Sequence, residues 1–147
     1  MNPENEFALP RWRLRFRNYL NALHSLESSL DYRQVQLFEP SKAQLEMELQ
    51  ARIKAFEYTY ELGWKTLKDL LEEEGNTDVT GSKSVIRLAA QVGILPDSQI
   101  WLDMVADRNL TTHTFDQGIA ERVVNRIANQ YRKAFLALAN RLNQYPI

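Results

Sequence analysis

The sequence predicts an all-α protein: an antiparallel up-and-down four-helix bundle with one additional short helix. Apolar residues recur at steps of three and four over long segments, the period of one helix face. Pro40, Gly75, Gly93 and Pro96 punctuate the chain between those segments. No segment shows the strict apolar alternation of a half-buried strand, and no internal repeat is visible.

The first helix is read from Leu9, Trp12, Phe16, Tyr19, Leu23, Leu26 and Leu30, which keep one face without a slip. The segment "QLFEPSK" breaks it, because Pro40 disfavours helix at Glu39, and Ser41 can cap a new start. The second long helix places Leu45, Leu49, Ile53, Phe56, Tyr60, Trp64, Leu67 and Leu71 on its buried side and ends near Gly75. After the loop "NTDVTGS", the segment "KSVIRLAAQVG" forms the short helix, stopped by Gly93. Asp97 caps a helix over "SQIWLDMVADRN". The last helix runs from about Phe115 to Asn143 and carries Ile119, Val123, Ile127, Tyr131, Ala134, Leu138 and Leu142.

A chain of 147 residues, 44% hydrophobic, fits a single domain over 1–147. Its net charge of -1 means that any phosphate site must be a local cluster. The absence of cysteine excludes a disulfide framework, thiolate metal sites and cysteine nucleophiles. The beginning "MNPENEF" has no basic head followed by an apolar run, and no stretch approaches the roughly 20 apolar residues of a membrane span, so a soluble cytoplasmic protein is expected. The carboxylates of "LEEEG" point in different directions around a helix, and neither a metal site nor a cofactor is expected.

The segment "DRNLTTHTFD", residues 107–116, carries the chemistry. Asn109, Thr111, Thr112 and Thr114 are poor helix-interior residues, and Thr114 with Gln117 has the spacing of a capping box. The expectation is a break at about Thr111 to His113, with Thr114 capping the last helix. His113 would then stand before a helix N-terminus, where the dipole disfavours imidazolium and leaves a neutral proton acceptor. Arg108 has the fork geometry that grips a phosphate through two hydrogen bonds. Its neighbours Asp107 and Asn109 complete the candidate phosphate-binding set. Asp107 can orient an imidazole or simply pair with a neighbouring charge, and the second is favoured. A structural role for the whole segment, a dipole-favoured arginine and a packing histidine, stands beside this reading.

In order along the chain, "RIKAFEYTYELGWKTLKDLLEEEG", "SVIRLAAQVGIL" and "WLDMVADRNLTTHTFD" resemble the nucleotidyltransferase substrate-binding protein family, a branch of the HEPN superfamily, over about residues 9–142. The resemblance implies a bundle like the C-terminal domain of kanamycin nucleotidyltransferase. It also implies a partner, a minimal nucleotidyltransferase encoded nearby, whose substrate side this chain would complete. HEPN relatives in such two-gene modules act as ribonuclease toxins, with the nucleotidyltransferase as antitoxin. Their motif, Arg, four to six residues, then His, is matched by Arg108 and His113. Where characterised toxins carry a tyrosine that the partner adenylylates, two residues after the histidine, this chain has Phe115, which has no oxygen to modify. No modification site is therefore expected.

Metal-free RNA cleavage needs a base, an acid and positive charge on the phosphate. A homodimer placing two Arg108 and His113 junctions together would supply all of these. His24 lies between core positions of the first helix and reads as a helix-face residue. Arg11, Arg13, Arg15 and Arg17 flank the Trp12 and Phe16 stripe and would either line a phosphate groove with the Trp12 indole stacking on a base, or lay their stems over the core edge. Phe56, Tyr60 and Trp64 read as bundle core, Gly63 marks a close helix approach, and Glu57, Glu61 and Lys65 read as a solvated ladder. "GSKS" at Gly81 is rejected as a phosphate loop, since no strand precedes it and its glycine spacing is wrong. The expected function is a nucleotide-binding partner subunit of a separately encoded nucleotidyltransferase; the alternative is a metal-independent ribonuclease.

Overall fold

Residues 8–32, 39–113 and 116–146 are described by the computed structural model, with the His113 side chain outside that description. The helices are α1 (Arg11–Asp31), α2 (Lys42–Glu73), the short α3 (Ser82–Gln91), α4 (Ser98–His113), α5 (Gln117–Arg126) and α6 (Arg132–Asn143). A π-helical turn, Ile127–Tyr131, joins α5 to α6 without a break. Among the described residues there is no strand. α1 and α2 pack along their length, α5 and α6 lie against α2 and α1 respectively, α4 closes the bundle, and α3 bridges α2 and α4. This is the four-helix bundle with one extra helix.

The local signals act largely as expected. Ser41 and Gln44 form a reciprocal capping box, with Ser41 N–H donating to Gln44 Oε1 at 2.8 Å and Gln44 N–H to Ser41 Oγ at 3.2 Å. Gly75, at φ +99°, ends α2 in a Schellman turn, its N–H bonding Glu72 O and that of Asn76 bonding Leu71 O. Asp97 Oδ1 accepts from Gln99 N–H at 2.9 Å at the start of α4.

Three expectations are corrected. The α4 backbone stays helical through Thr111, Thr112 and His113, so the expected break there does not occur. Thr111 and Thr112 are tolerated because their hydroxyls donate back to Arg108 O, at 3.2 and 2.8 Å, which satisfies them inside the last turn. The cap of α5 is Asp116, whose Oδ1 accepts from Ile119 N–H at 3.0 Å, and the helix starts at Gln117 rather than at about Phe115. Thr114 and Phe115 lie outside the described residues. Leu45, in the first turn of α2, is exposed instead of buried.

The core is strongly aromatic. Tyr19, Phe56, Trp101, Tyr131 and Phe135 are almost wholly buried and meet ring to ring, Phe56 stacking on Tyr131 with centroids 5.5 Å apart. Tyr19 donates to Phe135 O at 2.6 Å, so its hydroxyl is satisfied inside the bundle. Gly63 is the close approach anticipated for α2: a Cβ there would stand 2.8 Å from Trp101 Cη2 and 3.2 Å from Tyr19 Cε2. The apolar residues of the last helix advance mostly by fours, and each such step rotates the stripe by about 40° on an ideal helix. The wider π turn at Ile127–Tyr131 offsets that drift, keeping Ile127 and Tyr131 both fully buried.

Candidate functional site

A cavity of about 550 Å³ opens between α2, the start of α3 and α4. From α2 it takes Tyr60, Glu61 and Trp64; from the α3 start Gly81, Lys83 and Arg87; from α4 Arg108 and Asn109. α3 begins at Gly81 without a side-chain cap, so its first-turn N–H groups add the positive end of a helix to a wall that already carries three cations. The Tyr60 phenol is pushed above its ordinary range, chiefly by burial; the nearby Glu61 carboxylate adds to this, while a hydrogen bond with Ser82 and the charge of Arg108 act against it.

Arg108 is the centre of the arrangement. Its Nε stands 3.4 Å from Glu61 Oε1, an ion pair with the arginine side chain 36% exposed. That same Nε is buried and makes no hydrogen bond. It meets the Glu61 carboxylate through charge and not through a hydrogen bond. Glu61 is not the plain solvated ladder residue that helical spacing suggests. Besides Arg108 it holds Lys65 at 3.7 Å and accepts from Trp64 Nε1 at 3.2 Å, drawing α2 side chains and Arg108 into one charged group.

Asn109 lines the cavity beside Arg108, but Asp107 does not. Asp107 is 7% exposed and turned into the bundle, where both oxygens accept from Arg126 at 2.7 Å and Oδ2 also accepts from the Tyr131 hydroxyl at 2.5 Å. Burial and this hydrogen bond hold the Tyr131 phenol well above its ordinary range. Of the roles open to Asp107, the structure therefore shows charge pairing, and its place in the phosphate-binding set is withdrawn. Because α4 is continuous, the Arg108 and His113 backbone positions are about 140° apart around the axis. The His113 side chain lies outside the described residues, as does Phe115.

The basic first helix divides. Trp12 is 2% exposed, so the less favoured of the two readings, base stacking on its indole, is excluded. Arg13 lies over the Trp12 ring at 4.4 Å and donates to Tyr145 O, the stem-over-core arrangement. Arg15 donates to buried Asp69 at 2.6 Å, with Arg11 3.8 Å from the same carboxylate. His24 is exposed on the helix face, as read.

The residues that sequence reasoning missed are Glu61, Trp64, Lys83 and Arg87. "GSKS" was set aside correctly as a phosphate loop, since no strand precedes it among the described residues. It nonetheless enters the cavity as a helix start. The available signal was an uncapped glycine followed by a helix with Lys83 and Arg87 one turn apart. Among the described residues no group of His, Asp and Glu is placed to hold a metal, and no helix is long and apolar enough to cross a membrane.

Comparisons with known proteins agree with this fold. The chain is 33% identical over 119 residues to a Haemophilus influenzae protein named probable ribonuclease HepT, covering 74% of this chain and 81% of that one. A crystal structure from Thermus thermophilus superposes with a TM-score of 0.69 at 33% identity, over 86% of this chain and 99% of the other. A Haemophilus influenzae structure, described as revealing the fold of a substrate binding domain of a nucleotidyltransferase, superposes with a TM-score of 0.73 at 28% identity, over 88% and 99% of the two chains. The family model for "Nucleotidyltransferase substrate binding protein like" matches residues 14–144, nearly the whole described bundle, and the chain belongs to that family.

Proposed function

We propose that the chain is the substrate-binding subunit of a nucleotidyltransferase whose catalytic domain is a separate polypeptide, and that the Arg108 cavity receives the phosphate-bearing part of the substrate. The observation that carries this is the convergence of Lys83, Arg87 and Arg108 on one cavity whose lining holds a single carboxylate, Glu61. A guanidinium and two further cations around one cavity form an anion receptor in a chain of overall charge -1. The family description and the relative described as a nucleotidyltransferase substrate binding domain support the pairing. Co-expression with a neighbouring minimal nucleotidyltransferase should give a complex that survives gel filtration. Nucleotide binding by calorimetry should fall at least tenfold in Arg108→Ala, with the melting temperature unchanged. No complex and no nucleotide affinity would refute the proposal.

A second reading is favoured by one specific observation, the 33% identity to a probable ribonuclease, with Arg108 and His113 both present. In it the chain is the toxin of a toxin-antitoxin-like pair. A homodimer brings two copies of the motif together, the His113 of one chain taking the 2′-hydroxyl proton while that of the other protonates the leaving oxygen. RNA cleavage by purified protein in EDTA, abolished in His113→Ala, establishes this reading; no cleavage leaves the binding-subunit reading alone.

A further inference from the structure

Helix α2 carries two apolar stripes. The first, through Phe56, Tyr60, Leu67 and Leu71, is buried in the bundle. The second, Met47, Ala51, Ala55, Tyr58 and Leu62, recurs at the same helical spacing but lies on roughly the opposite side of the helix axis. Met47 and Tyr58 are 71% and 59% exposed, more than any other large apolar side chain among the described residues.

Where this second stripe meets α1, the surface holds a groove of about 500 Å³. Ala22 of α1 and Ala51 and Ala55 of α2 line it, with Tyr58 and Leu62 beside them. Three alanines let another backbone come close to both helices, and the ring and the leucine give that backbone's side chains apolar surface to bury. The one charged group of the lining is Lys54, whose Nζ stands 5.3 Å from the Tyr58 ring centroid and which makes no ion pair among the described residues.

That charge separates the possible occupants. A second copy seated on this face by two-fold symmetry offers only the same lining, an ammonium to meet an ammonium and no carboxylate. An amphipathic helix with an apolar ridge and a carboxylate at its edge satisfies the ring, the leucine and the lysine together. The position of the groove says which polypeptide carries that helix. Leu62 follows Glu61 in the chain, and Glu61 lines the Arg108 cavity. The middle of α2 is therefore a wall of both, and a catalytic domain that works on a substrate in the cavity has the groove within reach of its own edge.

We propose that the groove between α1 and α2 docks an acidic amphipathic helix of the catalytic nucleotidyltransferase polypeptide, with Tyr58 and Leu62 as apolar anchors and Lys54 as the charged one. This rests on the proposed pairing with a separate catalytic subunit and assigns the face that makes it.

The test uses the full chain and the minimal nucleotidyltransferase encoded beside it, their complex being measured by calorimetry and gel filtration. Tyr58→Ala and Lys54→Glu should each weaken the complex roughly tenfold or more. Lys54→Gln should fall between Lys54→Glu and the wild type. Both positions are exposed, so helicity, melting temperature and nucleotide binding by the chain alone should stay unchanged. On the wild-type chain, acetylation of Lys54 should slow when the partner is bound, a readout that needs no variant. Unchanged affinity in both Tyr58→Ala and Lys54→Glu, or no protection of Lys54, overturns the docking site and leaves the pairing standing. Weakening by Tyr58→Ala but not by Lys54→Glu refutes the acidic character of the docked helix. If the same variants lower the mass of the chain alone in light scattering, a second copy is the occupant and the assignment to the catalytic subunit is overturned. No complex with the wild-type chain refutes the pairing itself, and the docking site with it.

Discussion

Asp107 and Arg126 are joined by two hydrogen bonds of 2.7 Å, a bidentate pair that ties α4 to the end of α5 one residue before the π turn. The Tyr131 hydroxyl, at the far end of that turn, donates to the same carboxylate. Arg108 is the next residue along α4, so the inward anchor of Asp107 fixes the azimuth at which its neighbour leaves for the cavity.

Asp107→Ala leaves the Tyr131 hydroxyl and the Arg126 guanidinium without their acceptor. The loss should be about 2 kcal/mol, below the 3–5 kcal/mol of a fully buried pair because the Arg126 side chain is 36% exposed. Asp107→Asn, which keeps one acceptor, should lose about half as much. Urea unfolding checks both, and a stable Asp107→Ala would show the network to be dispensable.

Gly63→Ala places a methyl 2.8 Å from Trp101 and 3.2 Å from Tyr19, two side chains with almost no exposed surface. Overpacking of this kind costs about 1–3 kcal/mol, which outweighs the helix propensity gain of up to ~1 kcal/mol. A lower melting temperature with unchanged helicity is expected; a rise would mean that the rings can shift freely.

Glu61→Gln removes the counter-charge that Arg108 and Lys65 share while keeping an acceptor for Trp64 Nε1. Nucleotide affinity should rise several-fold, opposite in sign to the loss in Arg108→Ala. Stability should change by less than about 1 kcal/mol, since these are partly exposed pairs. Weaker binding in Glu61→Gln would mean that Glu61 contacts the ligand directly.

Tyr19, Tyr60 and Tyr131 all have phenols held above the ordinary tyrosine range, burial being the largest cause in each. A raised native value means that the folded state keeps these protons longer than the unfolded chain. Their stabilisation is therefore complete below pH ~10, the unfolded value, and is lost as pH rises through the native values. Melting temperature should be flat with respect to these groups from pH 7 to 9 and fall steeply above about pH 10, with tyrosinate absorbance appearing together with unfolding. Ionisation of all six tyrosines while the bundle stays folded would contradict this.

Phe115 offers no oxygen to an adenylylating partner, so incubation with the cognate nucleotidyltransferase and ATP should leave the intact mass unchanged. Control, if it exists, then comes from complex formation. A gain of AMP mapped to Thr111, Thr112 or Thr114 would identify a substitute acceptor.

Helix number, order and most boundaries were legible in the sequence, because they follow from local rules: the period of the Trp12 to Leu26 stripe, the Ser41 and Gln44 box, and a glycine at the end of α2. Arg108 was legible too, through the family motif. The α4–α5 junction was misread where a nearby choice was close: Thr114 and Asp116 both have capping chemistry, and two threonines that look unhelical satisfy themselves on Arg108 O. The partners of Arg108, the inward turn of Asp107 and the cavity that joins "GSKS" to Trp64 could be decided only by the packed fold. Glu61 and Arg108 are 47 positions apart in the chain, and Asp107 and Arg126 are 19 apart. Whether such side chains meet depends on the rotation and axial shift of whole helices, and those are set by how Trp101 and Tyr19 fit against Gly63 rather than by anything local to the charged residues.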